Sequence, residues 1–235
     1  MLPDEGAIAE HLRSGEVEVV GRMPWSSNGT YLCEVVHEGA TRQAIYKPRS
    51  RERELWDFPS GLFQREVAAY ELSRLLGWDL VPVTVDRDGP FGIGSLQDLV
   101  DADFEQHYFT LYEDEAHHPA LRAMCVLDLV GNNTDRKSGH VLISRDGRIQ
   151  GIDHGLMFHH EFKLRTVIWE FGGEPIPAEL LAAVARLVEG ELPDELACRL
   201  DVLERDALRT RARAVVDAGC FPIDGTGRRY PWPLV

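Results

Sequence analysis

Four residues, met in chain order, are of the types that phosphoryl transfer from ATP requires. Lys47, in AIYKP, ends an alternating stretch and carries an ammonium suited to the α- and β-phosphates. Glu66, in QREVAAYEL, supplies a carboxylate on a helically patterned segment that can hold that ammonium in place. Asp135, in GNNTDRKSGHVLI, lies between a helical run and an apolar strand, where a carboxylate can orient or accept the proton of an attacking hydroxyl. Asp153, in GIDHGLMF, follows a short hairpin and is placed to bind Mg²⁺ bridging the phosphates. The loose transition state of this reaction is helped mainly by positioning and charge neutralisation, so few parts suffice. Each residue is weak evidence alone; their order on suitable elements is what carries the reading.

The elements that must position them are legible in the pattern. Residues 5–14 predict a short helix, and EVEVVGRM, TYLCEVVHEG and TRQAIYKP predict three antiparallel strands. PWSSNGT joins the first two, and its small residues Ser26, Ser27, Asn28 and Gly29 are candidates for close approach to a nucleotide, or for a plain turn. LFQREVAAYELSRLLG predicts a helix ending at Gly77, and LVPVTVD and GIGSLQDLV predict two more strands. After a crossover near residues 99–103 the pattern turns helical: HPALRAMCVLDLVG, then a strand, Asp-Gly turn and strand in VLISRDGRIQGID, then PAELLAAVARLVEG and a long helix over residues 194–219. The organisation expected is a strand-rich lobe over residues 1–100 and a helical lobe over 101–235 forming one unit.

Composition narrows the partners. The chain has 235 residues, 25 basic and 39 acidic, for a net charge of −14. That charge repels nucleic acid and anionic lipid, so neither is an expected partner. Cys33, Cys125, Cys198 and Cys220 form no CxxC pair, which argues against a zinc knuckle or disulfide framework. No run approaches the roughly 18 apolar residues of a membrane span. A cytoplasmic setting is expected.

IYKP, REVAAYEL, NNTDRKSGHVLI and IDHG resemble the lysine, helix glutamate, catalytic loop and DFG-type segment of the protein-kinase-like fold, in the variant found in phosphatidylinositol 3-/4-kinase-like and HipA-type kinases. The chain is similar to a family of actinobacterial proteins described as phosphatidylinositol-kinase-like, over roughly residues 15–175. The resemblance implies an α+β, two-lobe fold, with an antiparallel sheet and one main helix in the first lobe and a small helical second lobe. It implies ATP with Mg²⁺ or Mn²⁺, Asp135 and Lys137 as catalytic residues, Lys47 and Glu66 at the nucleotide, and a protein or small-molecule hydroxyl as acceptor. Asp153 and His140 are the implied metal ligands, His140 standing where the family pattern has an asparagine. Lipid kinases commonly carry Asp-Arg-His in this loop, whereas Lys137 follows the pattern of Ser/Thr protein kinases, where the lysine neutralises the γ-phosphate. His154 replaces the middle residue of DFG, and LMFHHEFKLRT is too short for a long regulated loop.

Two other functions compete with an active kinase: a pseudokinase that binds nucleotide, and a metal-dependent phosphohydrolase using Asp135, His140, Asp153 and His154. Structural readings compete too. Glu66 can simply pair with Arg65 or Arg74 on a helix surface, and Asn132 and Asn133 can simply cap a helix. The tryptophans Trp25, Trp56, Trp78, Trp169 and Trp232 read most simply as core or interface anchors. RERE and RTRARA read as solvated faces.

Overall fold

The computed structural model describes residues 4–24 and 29–234. Helix α1 (Glu5–Ser14) starts where Asp4 accepts the Gly6 amide. Five strands form one antiparallel sheet: β1 (Glu16–Arg22), β2 (Tyr31–His37), β3 (Ala40–Pro48), β4 (Thr84–Gly89) and β5 (Gly92–Asp98), in the spatial order β1-β2-β3-β5-β4. Along β3, Ala44, Tyr46 and Pro48 are buried, so strand alternation turns Lys47 to the other face. Lys47 lies on the central strand β3 opposite Ser95 of β5, inside the sheet rather than on its edge.

Helix α2 (Leu62–Leu76) is inserted between β3 and β4. Its first amides need acceptors, and Glu52 supplies them: its two carboxylate oxygens take the N–H groups of Gly61 and Phe63 at 2.8 Å each. One acid of RERE is therefore a helix cap rather than part of a solvated face. The helix ends on Gly77 in the left-handed conformation, φ 76. It shows little amphipathic contrast because both sides are covered, the sheet on one and the helical region on the other.

The helical region contains α3 (Tyr108–Tyr112), α4 (His118–Gly131), α5 (Ala178–Glu189), α6 (Asp194–Ala197) and α7 (Val202–Ala218), with a hairpin of β6 (Val141–Ile143) and β7 (Ile149–Gly151) after α4. The single helix expected over 194–219 is two. Asp201 accepts the Glu204 amide at 2.8 Å while Glu204 accepts the Asp201 amide at 3.1 Å, a reciprocal cap that starts a new helix. One apolar core runs through both regions, from Leu12 and Leu96 to Leu127, Phe171 and Leu208. A separate small cluster of Val100, Ala102, Leu142 and Ile152 joins the crossover to the hairpin. Among the described residues, no helix is long and apolar enough to cross a membrane.

The tryptophan expectation fails at two positions. Trp56 and Trp232 are 95% and 89% exposed, and Trp25 lies outside the described residues. Trp78 and Trp169 are partly buried against the core.

A buried ion pair bolts α2 to α7. Arg65 donates to Glu204, both almost without solvent contact, and also donates to the Met157 carbonyl at 3.1 Å. Removing one partner strands a charge in the interior. Arg65→Met is therefore expected to cost about 3–5 kcal/mol in urea denaturation. Adding Glu204→Gln, which keeps the capping oxygen but removes the charge, is expected to recover at least half of that loss. A single variant as stable as wild type would remove the bolt from this account.

Candidate active site

The loop after α4 is shaped by a carboxylate buried in that helix's last turns. Asp128 has no solvent exposure and sits at the helix end where the macrodipole disfavours an anion, so it needs strong partners. It has three. The equally buried Arg136 guanidinium binds it through Nε and through a second nitrogen at 2.9 Å, the Asn133 side chain donates at 2.9 Å, and the Thr166 hydroxyl donates at 3.1 Å. Arg136 also donates to the Ile152 carbonyl at 2.9 Å, tying the loop to the residue before Asp153.

Asn132 takes the left-handed turn, φ 55, that ends α4, so the capping reading is right for this residue. Its side chain also donates to the carbonyls of His159 and Glu161 at 2.9 and 2.7 Å, holding the later segment. Asn133 braces the loop: its side-chain oxygen accepts the Asp135 amide at 3.0 Å. Asp135 emerges half-buried, with Lys137 Nζ 2.6 Å from its Oδ2. Burial raises the Asp135 pKa, Lys137 partly offsets this, and the nearby charge of Asp153 raises it further.

Lys47, Glu66 and Asp153 converge. Lys47 Nζ donates to Glu66 Oε1 and, at 2.8 Å, to Asp153 Oδ1, 106 residues away in sequence. The other Glu66 oxygen accepts the His154 amide at 3.0 Å, so one carboxylate fixes both the lysine and the segment after β7. Glu66 is buried and does not pair on the helix surface; Arg65 binds Glu204 and Arg74 binds Glu71 instead. Gly155 fits beneath α2 because an added Cβ would come within 3.2 Å of Glu66 Oε1. Burial alone would lower the Lys47 pKa, but the charges of Asp153 and Glu66 outweigh it and hold the lysine above its ordinary value. The Lys47 charge holds the Asp153 carboxyl far below the usual range, although the Asp153 side chain is half exposed. Asp153 adopts left-handed backbone, φ 60, which aspartate tolerates better than most residues.

His140, the second expected metal ligand, lies beside Asp153. The Lys137 amide donates to its Nδ1 at 3.4 Å, so the neutral ring carries its proton on Nε2, which lies 3.5 Å from Asp153 Oδ2. Burial lowers its pKa to about 4, Asp153 only partly opposing, so the ring is neutral at pH 7. In this tautomer the ring turns its Nε2 side towards Asp153. His154 is fully buried, and neither ring nitrogen has a hydrogen-bond partner. Among the described residues no three His, Cys, Asp or Glu side chains gather into a metal site. One carboxylate, Asp153, fits the sparse protein ligation of Mg²⁺, which takes most of its remaining ligands from phosphates and water.

The other candidate residues are accounted for separately. Ser26, Ser27 and Asn28 lie outside the described residues. Gly29 does allow a close approach, but to the chain itself: it donates to the Arg51 carbonyl, and a Cβ there would strike the Arg51 side chain at 2.4 Å. Arg211, in the RTRARA stretch, is not solvated but donates to the Val130 and His159 carbonyls at 2.8 and 3.2 Å. Sequence reasoning missed Asp128 and Arg136, although an aspartate inside the apolar run LDLVG was a visible signal. It also missed the cluster of Val100, Ala102, Leu142 and Ile152, whose members come from three segments.

Two solved structures are similar to this chain at low sequence identity. Hydra Fam20, solved with a sugar, superposes with a TM-score of 0.55 at 12% identity, covering 90% of this chain and 86% of that one. A Helicobacter pylori proinflammatory kinase, CtkA, matches with a TM-score of 0.47 at 12% identity over 89% of this chain and 94% of that one. The fold is the two-lobed, kinase-like one, with an antiparallel sheet and one main helix in the first lobe and helices in the second. The chain is 42% identical to Protein Rv2133c of Mycobacterium tuberculosis over 267 aligned positions, covering 98% of this chain and 95% of that protein, and it belongs to that protein's family. No protein-family model matches the sequence.

The Asp153 pKa sets an acid limit on this cluster. Because its folded value is depressed, its stabilising contribution is present above the unfolded value near 3.9 and is lost as pH falls below that. Melting temperature is expected to fall more steeply between about pH 5 and 2 for wild type than for Asp153→Asn. Parallel curves would show that Lys47 does not hold Asp153 as described.

Proposed function

We propose that the protein is an ATP-dependent phosphotransferase acting on a hydroxyl group, with the nucleotide held between residues 1–100 and 101–235. The observation that carries this reading is the Lys47 ammonium held jointly by Glu66 and Asp153, three residues from separate segments. A lysine with no catalytic purpose has little reason to be drawn inside and ringed by two carboxylates.

In this reading Lys47 holds the α- and β-phosphates and Glu66 holds Lys47. Asp153, with the His140 ring beside it, is the residue that holds the divalent ion. When bound, that ion neutralises charge developing on the phosphates. Asp135 accepts the proton of the acceptor hydroxyl as its oxygen bonds to the γ-phosphorus and the bond to the bridging β–γ oxygen breaks. ADP leaves, and the proton passes to solvent. A raised pKa makes Asp135 a better base, and Lys137 turns from it towards the transferring phosphoryl. Lys137 favours a protein or small-molecule hydroxyl over a lipid. The intact cluster favours an enzyme over a pseudokinase.

Thermal stabilisation by ATP with Mg²⁺, with Mn²⁺ and with neither, followed by mass spectrometry for phosphate on the protein, tests the proposal. Stabilisation that needs the metal, together with transfer, is the expected result. No shift under any condition ends the reading, and a shift without transfer returns it to a pseudokinase. Asp135→Ala is expected to lower transfer at least a hundred-fold while leaving the ATP-induced shift intact, because the carboxylate acts mainly in the transition state. An equal loss of both would mean that Asp135 is structural.

His140→Asn exchanges an N–H donor for a side chain with an amide oxygen. It is expected to tighten Mg²⁺-dependent ATP binding several-fold in calorimetric titration. Unchanged or weaker binding would show that a side chain at position 140 does not reach the ion.

A further inference from the structure

The chain's C-terminal segment returns across the helical lobe to the loop that bears Asp135 and Lys137. It leaves α7 at Gly219 and is anchored at Phe221, which is buried and exchanges main-chain hydrogen bonds with Gly173 and Glu174 at 2.9 Å each. It then runs beside the catalytic loop. The Arg229 carbonyl accepts the Thr166 amide at 3.0 Å, and the Leu234 carbonyl accepts the Ser138 amide at 2.8 Å. Thr166 itself bridges to Arg136, and Ser138 directly follows Lys137. The segment therefore lies against the loop that bears Asp135 and Lys137.

How it is held is informative. Pro231 is buried, but Tyr230, Trp232, Pro233 and Leu234 are exposed, with Trp232 at 89%. Main-chain carbonyls make the two contacts with the loop and Thr166, and the large side chains contribute little burial. Ser138 is fully buried, and its hydroxyl has no hydrogen-bond partner, so the loop keeps unused polar capacity under the strap. Backbone pairing with exposed side chains is how an extended peptide is bound with little regard for sequence.

We propose that the amides of Ser138 and Thr166 line a groove for an extended polypeptide acceptor, and that residues 229–234 occupy this groove as a placeholder that the acceptor displaces. This rests on the phosphotransferase reading and deepens it by naming the acceptor class: a protein segment carrying a hydroxyl, rather than a lipid or a free small molecule.

The test uses the full chain and a fluorescent peptide with the sequence of residues 228–234, RRYPWPL. Pro231→Glu places a charge at the buried anchor and should release the strap. Tyr230→Ala, which removes the ring packed 6.4 Å from Trp169, is a milder second variant should the first fold poorly. Both variants are expected to bind the peptide at least ten-fold more tightly than wild type, and unlabelled dephosphorylated casein is expected to compete. Amide hydrogen exchange at Ser138 and Thr166 should speed up in the variants and slow again when peptide is added. Peptide binding that is absent, or equal in wild type and variants, while ATP still stabilises all three proteins, would overturn the groove and leave the phosphotransferase reading standing. Loss of ATP stabilisation in wild type would overturn both.

Discussion

A single ammonium shared by two carboxylates organises this molecule. Lys47 comes from the sheet, Glu66 from the helix packed on it, and Asp153 from the turn that follows the hairpin of the other lobe. Three charges in such proximity are tolerable only because they balance so closely: one carboxylate would leave the buried lysine partly compensated, and neither acid could be held there without it. The arrangement also joins the lobes electrostatically. Glu66 extends the join by accepting the His154 amide, and the neighbouring Arg65 extends it again through Glu204. Helix α2 is thereby fixed at both the site and the far helix, which suits an active centre that is assembled permanently rather than by movement of that helix.

A second buried ion pair does for the loop after α4 what Lys47 does for its two carboxylates. Asp128 and Arg136 have no solvent exposure, and between them they gather Asn133, Thr166 and the carbonyl before Asp153. Loops seldom bury charges, since an irregular backbone offers few ways to satisfy them. This one does because helix, loop and later segment each contribute a partner. The result places Asp135 and Lys137 at the surface of a rigid frame, with the C-terminal strap alongside.

Much of this was legible in the sequence, for identifiable reasons. The strands and α2 follow from alternation and helical spacing, and the order Lys47, Glu66, Asp135, Asp153 follows from the chemistry of the residues within those elements. What was not legible depends on contacts between distant segments. Arg65 and Glu204 are 139 residues apart, and no local pattern links them. Trp56 and Trp232 read as core residues because large rings usually are, and only the fold shows them in solvent. The break before α7 had a local signal, Asp201 with Glu204 three residues on, that the longer helical periodicity hid. His140 was legible as a departure from the asparagine pattern, but its tautomer is set by the Lys137 amide and could not be read from residue type.

The central claim, that Lys47 is held for a polyphosphate, is tested most directly by titrating ATP with Mg²⁺ calorimetrically into wild type and Lys47→Met, at a temperature where both are folded. A charge-assisted hydrogen bond to phosphate is worth about 1.5–3 kcal/mol, so the variant should bind roughly ten- to a hundred-fold more weakly. Equal affinity in the two proteins would contradict the account.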